Sequence, residues 1–229
     1  SIDATSTPLH RRGYRLDGRK APLREDIAHA LVLASEWSPD TAMLDPFCGS
    51  GTIAIEAAGL ALGLAPGRLR PPALQQTARF DIDAWQELCA ESTPREASAP
   101  IVASDRDKGA VAATRDNAER AGVQDAVRCQ QHALAAQPWL EGQDAPESGS
   151  LITNPPFGVR VSSNNNLIPL YQTLGHRLKA LGPGWNTAIL AHDMRLTRRT
   201  GVPLKPRVST KHGGLAITAM GSLTADEVS

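Results

Sequence analysis

Two short stretches carry residues whose types and spacing could do chemistry. The first is Leu44-Asp45-Pro46-Phe47-Cys48-Gly49-Ser50-Gly51-Thr52. It puts an acid at the end of the apolar run Ala42, Met43, Leu44 and two glycines in a turn, with the nearly all-apolar Ile53-Ala54-Ile55-Glu56-Ala57-Ala58 behind it. Glycine is the residue of positive φ and of close backbone approach, and a helix start offers unpaired N–H groups to an electron-rich ligand. The pattern reads as strand, ligand turn, buried helix. It is neither Gly-x-Gly-x-x-Gly nor Gly-x4-Gly-Lys-Ser/Thr, so the dinucleotide and P-loop fingerprints are missing. Taken alone, it also fits a tight strand-to-helix connection with no ligand.

The second stretch is Leu151-Ile152-Thr153-Asn154-Pro155-Pro156-Phe157-Gly158. Two consecutive prolines cannot continue a central strand, so a strand over 150–153 must stop at Asn154 and present the next few residues at its carboxyl end. Asn154 and Phe157 are then expected to face a crevice. The chain holds 3 phenylalanines, and two of them fall in these two stretches.

With both motifs in view, the chain resembles the class I S-adenosylmethionine-dependent methyltransferases that modify exocyclic amino groups, whose signature is Asp/Asn-Pro-Pro-Tyr/Phe/Trp. Leu9-His10-Arg11-Arg12-Gly13-Tyr14-Arg15, together with Ala21-Pro22-Leu23-Arg24-Glu25, narrows this to the guanine-N2 RNA methyltransferases that carry an N-terminal THUMP domain. An Ala65-Pro66-Gly67 start and the Trp85 to Leu88 helix fit an insertion of that family. The resemblance spans nearly the whole chain.

It implies a Rossmann-like α/β fold with a seven-stranded, mostly parallel sheet, an antiparallel last strand, and helices on both faces. It also implies S-adenosylmethionine as cofactor, tRNA or rRNA as partner, and an upstream THUMP domain. By position it assigns cofactor binding to Asp45, Phe47, Cys48, Gly49, Ser50, Gly51, Thr52, Asp105, Arg106, His132, Ala133 and Asn154, with Asn154, Pro155 and Phe157 as catalytic positions. The methionine end is expected over Gly49 and Gly51. Where the wider family often has an acid reaching the adenine, this chain has Gln131-His132-Ala133, a departure from the pattern.

The chemistry is set by the acceptor. An exocyclic guanine amine is a poor nucleophile because its lone pair is delocalised into the ring. If the Asn154 side-chain oxygen and the Pro155 carbonyl both accept the amino hydrogens, they localise that lone pair and aim it for direct in-line transfer. Phe157 would stack on the base, a contact worth roughly 1–3 kcal/mol. Within the enzyme class, the rivals are DNA adenine-N6 and protein glutamine-N5 methyltransferases, which use similar turns. Outside it, the rival is a silent cofactor-fold module that only binds RNA.

These residues need a scaffold, and the rest of the chain supplies one. Apolar positions Leu23, Ile27, Ala30, Leu31 and Ala34 fall on one face of a helix opened by Pro22 and expected to pack beside the first strand. Ile101 to Asp105 reads as a strand buried on both faces and ending in an acid. Asp105 is favoured for the cofactor ribose; the alternative is a helix cap, which Asp107 could supply equally well. Lys108 to Ala121 reads as a helix stopped by Gly122, and 127–131 as a third strand. Leu167, Leu170, Leu174, Leu178 and Leu181 trace another helix, and 187–191 a fifth strand. Residues 194–210 hold five basic residues and no acid and read as a basic loop, and 214–220 as the final strand.

At 229 residues with zero formal charge, the chain has room for one sizeable domain, expected over 22–229 after a basic arm over 1–21. Arg11, Arg12 and Arg15 on the arm and Arg195, Arg198 and Arg199 on the late loop are the expected RNA contacts, lining one face. The neutral balance excludes a wholly electrostatic nucleic-acid binder, so most affinity is expected from elsewhere. The 3 cysteines show no paired spacing with one another or with the 6 histidines, so no metal site is expected. No signal-like or membrane-length apolar run appears, which makes the cytoplasm the simplest address, with a monomer expected.

Overall fold

Four-to-seven-residue apolar runs with no polar alternation fit strands covered on both faces, and the sheet is built around them. The computed structural model describes residues 8–15, 23–70, 72, 74, 75, 77–90, 94–158 and 167–223. β1 (Ala42–Asp45) and β4 (Gly149–Thr153) are buried at every position, and β2 (Ile101–Asp105) at all but its last. With β3 (Val127–Gln131), β5 (Trp185–Ala191), β6 (Leu204–His212) and β7 (Leu215–Ser222), they form a seven-stranded sheet in the order β3-β2-β1-β4-β5-β7-β6. Pairings from β3 through β5 are parallel, whereas β7 runs antiparallel to β5 and β6 antiparallel to β7. The expected architecture is the one found.

Side chains alternate across each strand, so two cores form. Met43, Ile101, Ala103, Ile152, Ala188 and Leu190 point to one side, under α1 (Glu25–Ala34), α2 (Thr52–Ala61) and α4 (Lys108–Arg120). Ala42, Leu44, Val102, Leu151 and Ile189 point to the other, under α5 (Ile168–Ala180) and two 3₁₀ turns (Leu134–Ala136 and Pro138–Glu141). α3 (Ile82–Ala90) is the short helix expected at that place, with Ile82 and Leu88 exposed.

Three expectations need correction. α1 packs mainly against α2 and over β5, β6 and β7 rather than beside β1. Residues 194–210 are not a loop: α6 (Met194–Arg198) is capped by Asp193, whose carboxylate accepts from Arg195 N at 2.8 Å, and β6 comes next as the sheet's edge strand. The third concerns the segment read as an arm, because residues 12–15 lie on the domain. Tyr14 is 3% exposed and donates to Glu56 Oε1 at 3.1 Å, while Arg120 Nε of α4 donates to the Tyr14 carbonyl at 2.7 Å. Glu56, itself 6% exposed on α2, also meets His29 Nδ1 at 3.1 Å and Arg12 Nε at 3.5 Å. Pro22, expected to open the first helix, lies outside the described residues.

Candidate active site

The parallel order brings the carboxyl ends of β3, β2, β1, β4 and β5 side by side, which is where doubly wound sheets hold ligands. Asp45 closes β1 and is 1% exposed. Its Oδ1 accepts from Thr153 Oγ1 at 2.7 Å and from Phe47 N at 3.1 Å, which ties the β1 turn to the end of β4. Its Oδ2 is buried and has no hydrogen-bond partner among the described residues. Burial pushes the carboxyl up to about 7, the Thr153 and Phe47 bonds hold it down, and the Asp105 charge adds to the rise. An orphaned buried carboxylate oxygen is costly unless a ligand supplies a cation or donor.

The turn after Asp45 is fastened from behind by α4. Thr114 Oγ1 donates to the Gly49 carbonyl at 3.1 Å, and Asn117 Nδ2 to the Ser50 carbonyl at 2.8 Å. Cys48 is buried with Sγ 3.5 Å from Thr114 Oγ1, and burial first, then the Asp45 charge, pushes its thiol up; this thiol is an inert packing group. Phe47 is half-buried in the α5-side core, and Thr52 is buried as the first residue of α2.

Both glycines stand at positive φ, and they differ in what a side chain would meet. Gly49 (φ +56°) has nothing within 4 Å of where a Cβ would stand, so the space above it is open to a ligand. At Gly51 (φ +82°) a Cβ would meet Thr114 Cγ2 at 2.5 Å. Gly51→Ala is expected to cost about 1–3 kcal/mol of folding stability, the range for a side chain held at strained backbone. Gly49→Ala carries the backbone strain without the clash, so it should cost less in stability and act on ligand affinity as well. Thermal melts and ligand titration of the two variants separate these effects.

Asp105 ends β2 beside the same turn, with Oδ2 accepting from Gly49 N at 3.1 Å and Oδ1 from Asp107 N at 2.9 Å. The capping role belongs to Asp107, which accepts from Gly109 N and Ala110 N. Asp105 is therefore not the helix cap, and each of its oxygens keeps a lone pair for a ligand hydroxyl. His132 N donates to the Asp105 carbonyl at 3.1 Å, placing His132 and exposed Ala133 beside it at the end of β3, while the Arg106 side chain is exposed.

Across β4 from this cradle stands the Asn154-Pro155-Pro156-Phe157 turn. Pro155 is buried, and the Pro156 carbonyl accepts from the Tyr171 hydroxyl of α5 at 3.2 Å. Phe157 is 6% exposed, and its ring stacks on His192 with centroids 3.5 Å apart and planes 10° apart. His192, the residue after β5, also places Nε2 at 2.9 Å from Asn154 Oδ1. Sequence reasoning missed His192, since a lone histidine after a strand carries no motif. It missed Thr114 and Asn117 as well, which look like ordinary helix residues until the turn lies against them.

Residues 12–214 match the family model described as the RMKL-like methyltransferase domain. The chain belongs to this family. A ribosomal RNA large subunit methyltransferase K/L of Marinomonas sp. is 36% identical over 230 residues, covering 96% of this chain and 31% of the relative. The RMKL-like domain thus spans less than a third of that relative's length. Among solved structures, SMU.472, described as a putative methyltransferase and solved with SAH, superposes with a TM-score of 0.85 at 31% identity over 96% of this chain and 57% of that one. A Listeria monocytogenes protein described as a predicted N6-adenine-specific DNA methylase superposes with a TM-score of 0.80 at 29% identity, over 94% of this chain and 55% of that one.

The arginines expected to contact RNA are not one surface of this RMKL-like domain. Arg12 pairs with Glu56, and Arg15 with Glu25 at 3.0 Å while donating to the Leu23 carbonyl, so both turn into the α1–α2 layer. Arg195, Arg198 and Arg199 are exposed on or just after α6, which packs on α5 in the opposite layer, and Arg195 pairs with Asp193 at 3.2 Å. Arg11 is exposed. The expectation that all six line one face is corrected: Arg12 and Arg15 answer acids distant in sequence.

Proposed function

We propose that this domain transfers a methyl group from S-adenosylmethionine to the exocyclic N2 amine of a guanosine in RNA, with large-subunit ribosomal RNA the first to test. The observation that carries this reading is the pairing of two half-sites at adjacent strand ends. A cradle with an orphaned buried carboxylate oxygen stands on β1, and an amide with an aromatic ring stands on β4.

The residues fit the cofactor. Asp45 Oδ2 would take the methionine ammonium, the open space over Gly49 would admit the methionine backbone, and the Asp105 carboxylate would accept the ribose hydroxyls. When bound, the cofactor supplies an electrophilic methyl group on sulfur. The protein does the rest: Asn154 Oδ1 and the Pro155 carbonyl accept the amine hydrogens and localise the nitrogen lone pair, while Phe157 fixes the plane of the base. A base paired in a stem must first be extruded, at a cost of a few kcal/mol.

The deciding experiment is mass spectrometry of nucleosides from rRNA, tRNA and DNA of cells with and without the gene. Loss of N2-methylguanosine from rRNA supports the reading. Loss of N6-methyladenine from DNA instead would replace it with the activity named for the Listeria relative.

Asp105→Ala is expected to weaken S-adenosylhomocysteine binding about 10- to 100-fold, the worth of charge-assisted hydrogen bonds to one carboxylate. Unchanged affinity by calorimetry would remove Asp105 from the cofactor site.

A neutral domain with its arginines divided between two layers has little electrostatic attraction for RNA. An upstream RNA-binding module of the THUMP kind would raise affinity and select the site by effective concentration. Filter binding across a salt series, with this domain and with the longer natural protein, is expected to show the domain at least about 100-fold weaker. Equal affinity would place RNA recognition in the domain itself.

A further inference from the structure

The aromatic ring assigned to the target base already has a ring on it, and the amide assigned to the target amine already has a partner. His192 supplies both. Its imidazole lies on Phe157 with centroids 3.5 Å apart and planes within 10°, which is a full face-to-face stack. Its Nε2 is 2.9 Å from Asn154 Oδ1. An amide oxygen only accepts, so Nε2 carries a proton and donates it. A flat heterocycle stacked on Phe157 and giving one N–H to Asn154 is what the acceptor reading asks of the substrate.

We propose that His192 stands in for the target base: it fills the acceptor slot in the absence of substrate and leaves it when an extruded base arrives. The inference rests on the acceptor-site reading of Asn154 and Phe157 and adds a competitor within the chain. The alternative is that His192 stays as one wall of the slot, with the base between the two rings. That needs roughly 7 Å between them, two ordinary stacking distances, and the rings stand at half of it.

His192 is placed to move. It lies between the end of β5 and Asp193, the cap of the five-residue helix α6, in a connection where a change of backbone or rotamer breaks no sheet pairing. Keeping the slot filled serves the protein in two ways. The Asn154 oxygen keeps a donor while no base is present, and a base must bring enough binding energy from the surrounding RNA to displace the ring. Casual nucleotides bring less. The ring therefore acts as a specificity filter whose cost appears as a competent fraction below one.

The test is steady-state methyl transfer by the natural full-length protein on large-subunit rRNA from cells lacking the gene, comparing wild type, His192→Ala, His192→Phe and Asn154→Ala. Removing the competitor is expected to raise kcat/KM of His192→Ala roughly three- to tenfold, the worth of one aromatic pair, with the change in KM. His192→Phe keeps the stack without the N–H and should fall between wild type and His192→Ala. Unchanged KM in His192→Ala, or activity lost as in Asn154→Ala, overturns the proposal; the second outcome would make His192 part of the working site.

A second readout needs no variant to fold. In protein labelled with ¹³C-histidine, the His192 ring signals, shifted by the Phe157 ring current, should move to solvent-like positions when RNA is added above its KM. Signals that stay in place also overturn it. Full transfer by Asn154→Ala would instead sink the acceptor reading beneath it, whatever His192 does.

Discussion

Asn154→Ala is expected to lower single-turnover methyl transfer about 100- to 1000-fold, the range measured when one preorganised hydrogen-bonding group is removed from a transition state. Fold and cofactor affinity should remain. The reason lies in where Asn154 stands. It comes directly after the last residue of β4, so no sheet hydrogen bond depends on its side chain, and its Oδ1 meets His192 rather than the Asp45 cradle. Thr153, one residue earlier, does the structural work of holding Asp45. The measurement is transfer of labelled methyl to the target RNA, alongside calorimetry with S-adenosylhomocysteine and a thermal melt. Transfer at the wild-type rate would remove the amide from the mechanism.

The second large effect concerns pH. In the ligand-free protein, burial raises the Asp45 carboxyl from 3.8 to about 7. The cofactor ammonium binds the ionised form, so below that value binding must first expel a proton. Affinity for S-adenosylhomocysteine should therefore rise about tenfold per pH unit from about pH 5 to about pH 7 and then level off. Calorimetry in buffers of different ionisation enthalpy should show a proton released near about pH 6. Stability runs the other way. The folded protein keeps a proton that the unfolded chain has lost between 3.8 and about 7, so the contribution of Asp45 is fully present below 3.8 and is lost as pH rises to about 7.

Asp45→Asn separates the two. It should flatten the binding slope and weaken binding at about pH 8 by about 100-fold, since removing one partner of a buried ion pair costs about 3–5 kcal/mol and the amide recovers part. It should also melt no lower than wild type at that pH without ligand. A persisting slope in Asp45→Asn would show that another group binds the ammonium.

Much of this was legible in the sequence because the signals were local. Continuous apolar runs such as Ile101-Val102-Ala103 marked central strands, and the Pro155-Pro156 pair marked where β4 ends and which residues it presents. The seven-strand order came from the family resemblance, not from periodicity. What stayed hidden is long-range or exposed. β6 is an edge strand with exposed residues at most positions, so it carries no burial pattern to read. Thr153 and Asp45 stand 108 positions apart, and Tyr14 and Glu56 stand 42 apart. No spacing rule connects such pairs, and a cluster of arginines looks solvated until its acids fold against it. Asp193 differs in being local: it sits directly ahead of the arginines of α6, where a capping acid can be read without the fold.

The clasp around Glu56 says where the domain can be divided. A cut at Leu23, near the start of the first helix, would remove Tyr14 and Arg12 together and leave a carboxylate 6% exposed on α2 with His29 as its remaining hydrogen-bond partner among the described residues. A piece that keeps this clasp therefore begins before Arg12, in line with a family match that starts at that residue. Arg15 also reaches Thr52 Oγ1 at 3.4 Å, at the head of the helix behind the glycine turn. Residues 12–15 are thus bolted to α2 and to the head of the helix behind the glycine turn, a fixed mounting point on the domain rather than a hanging cord.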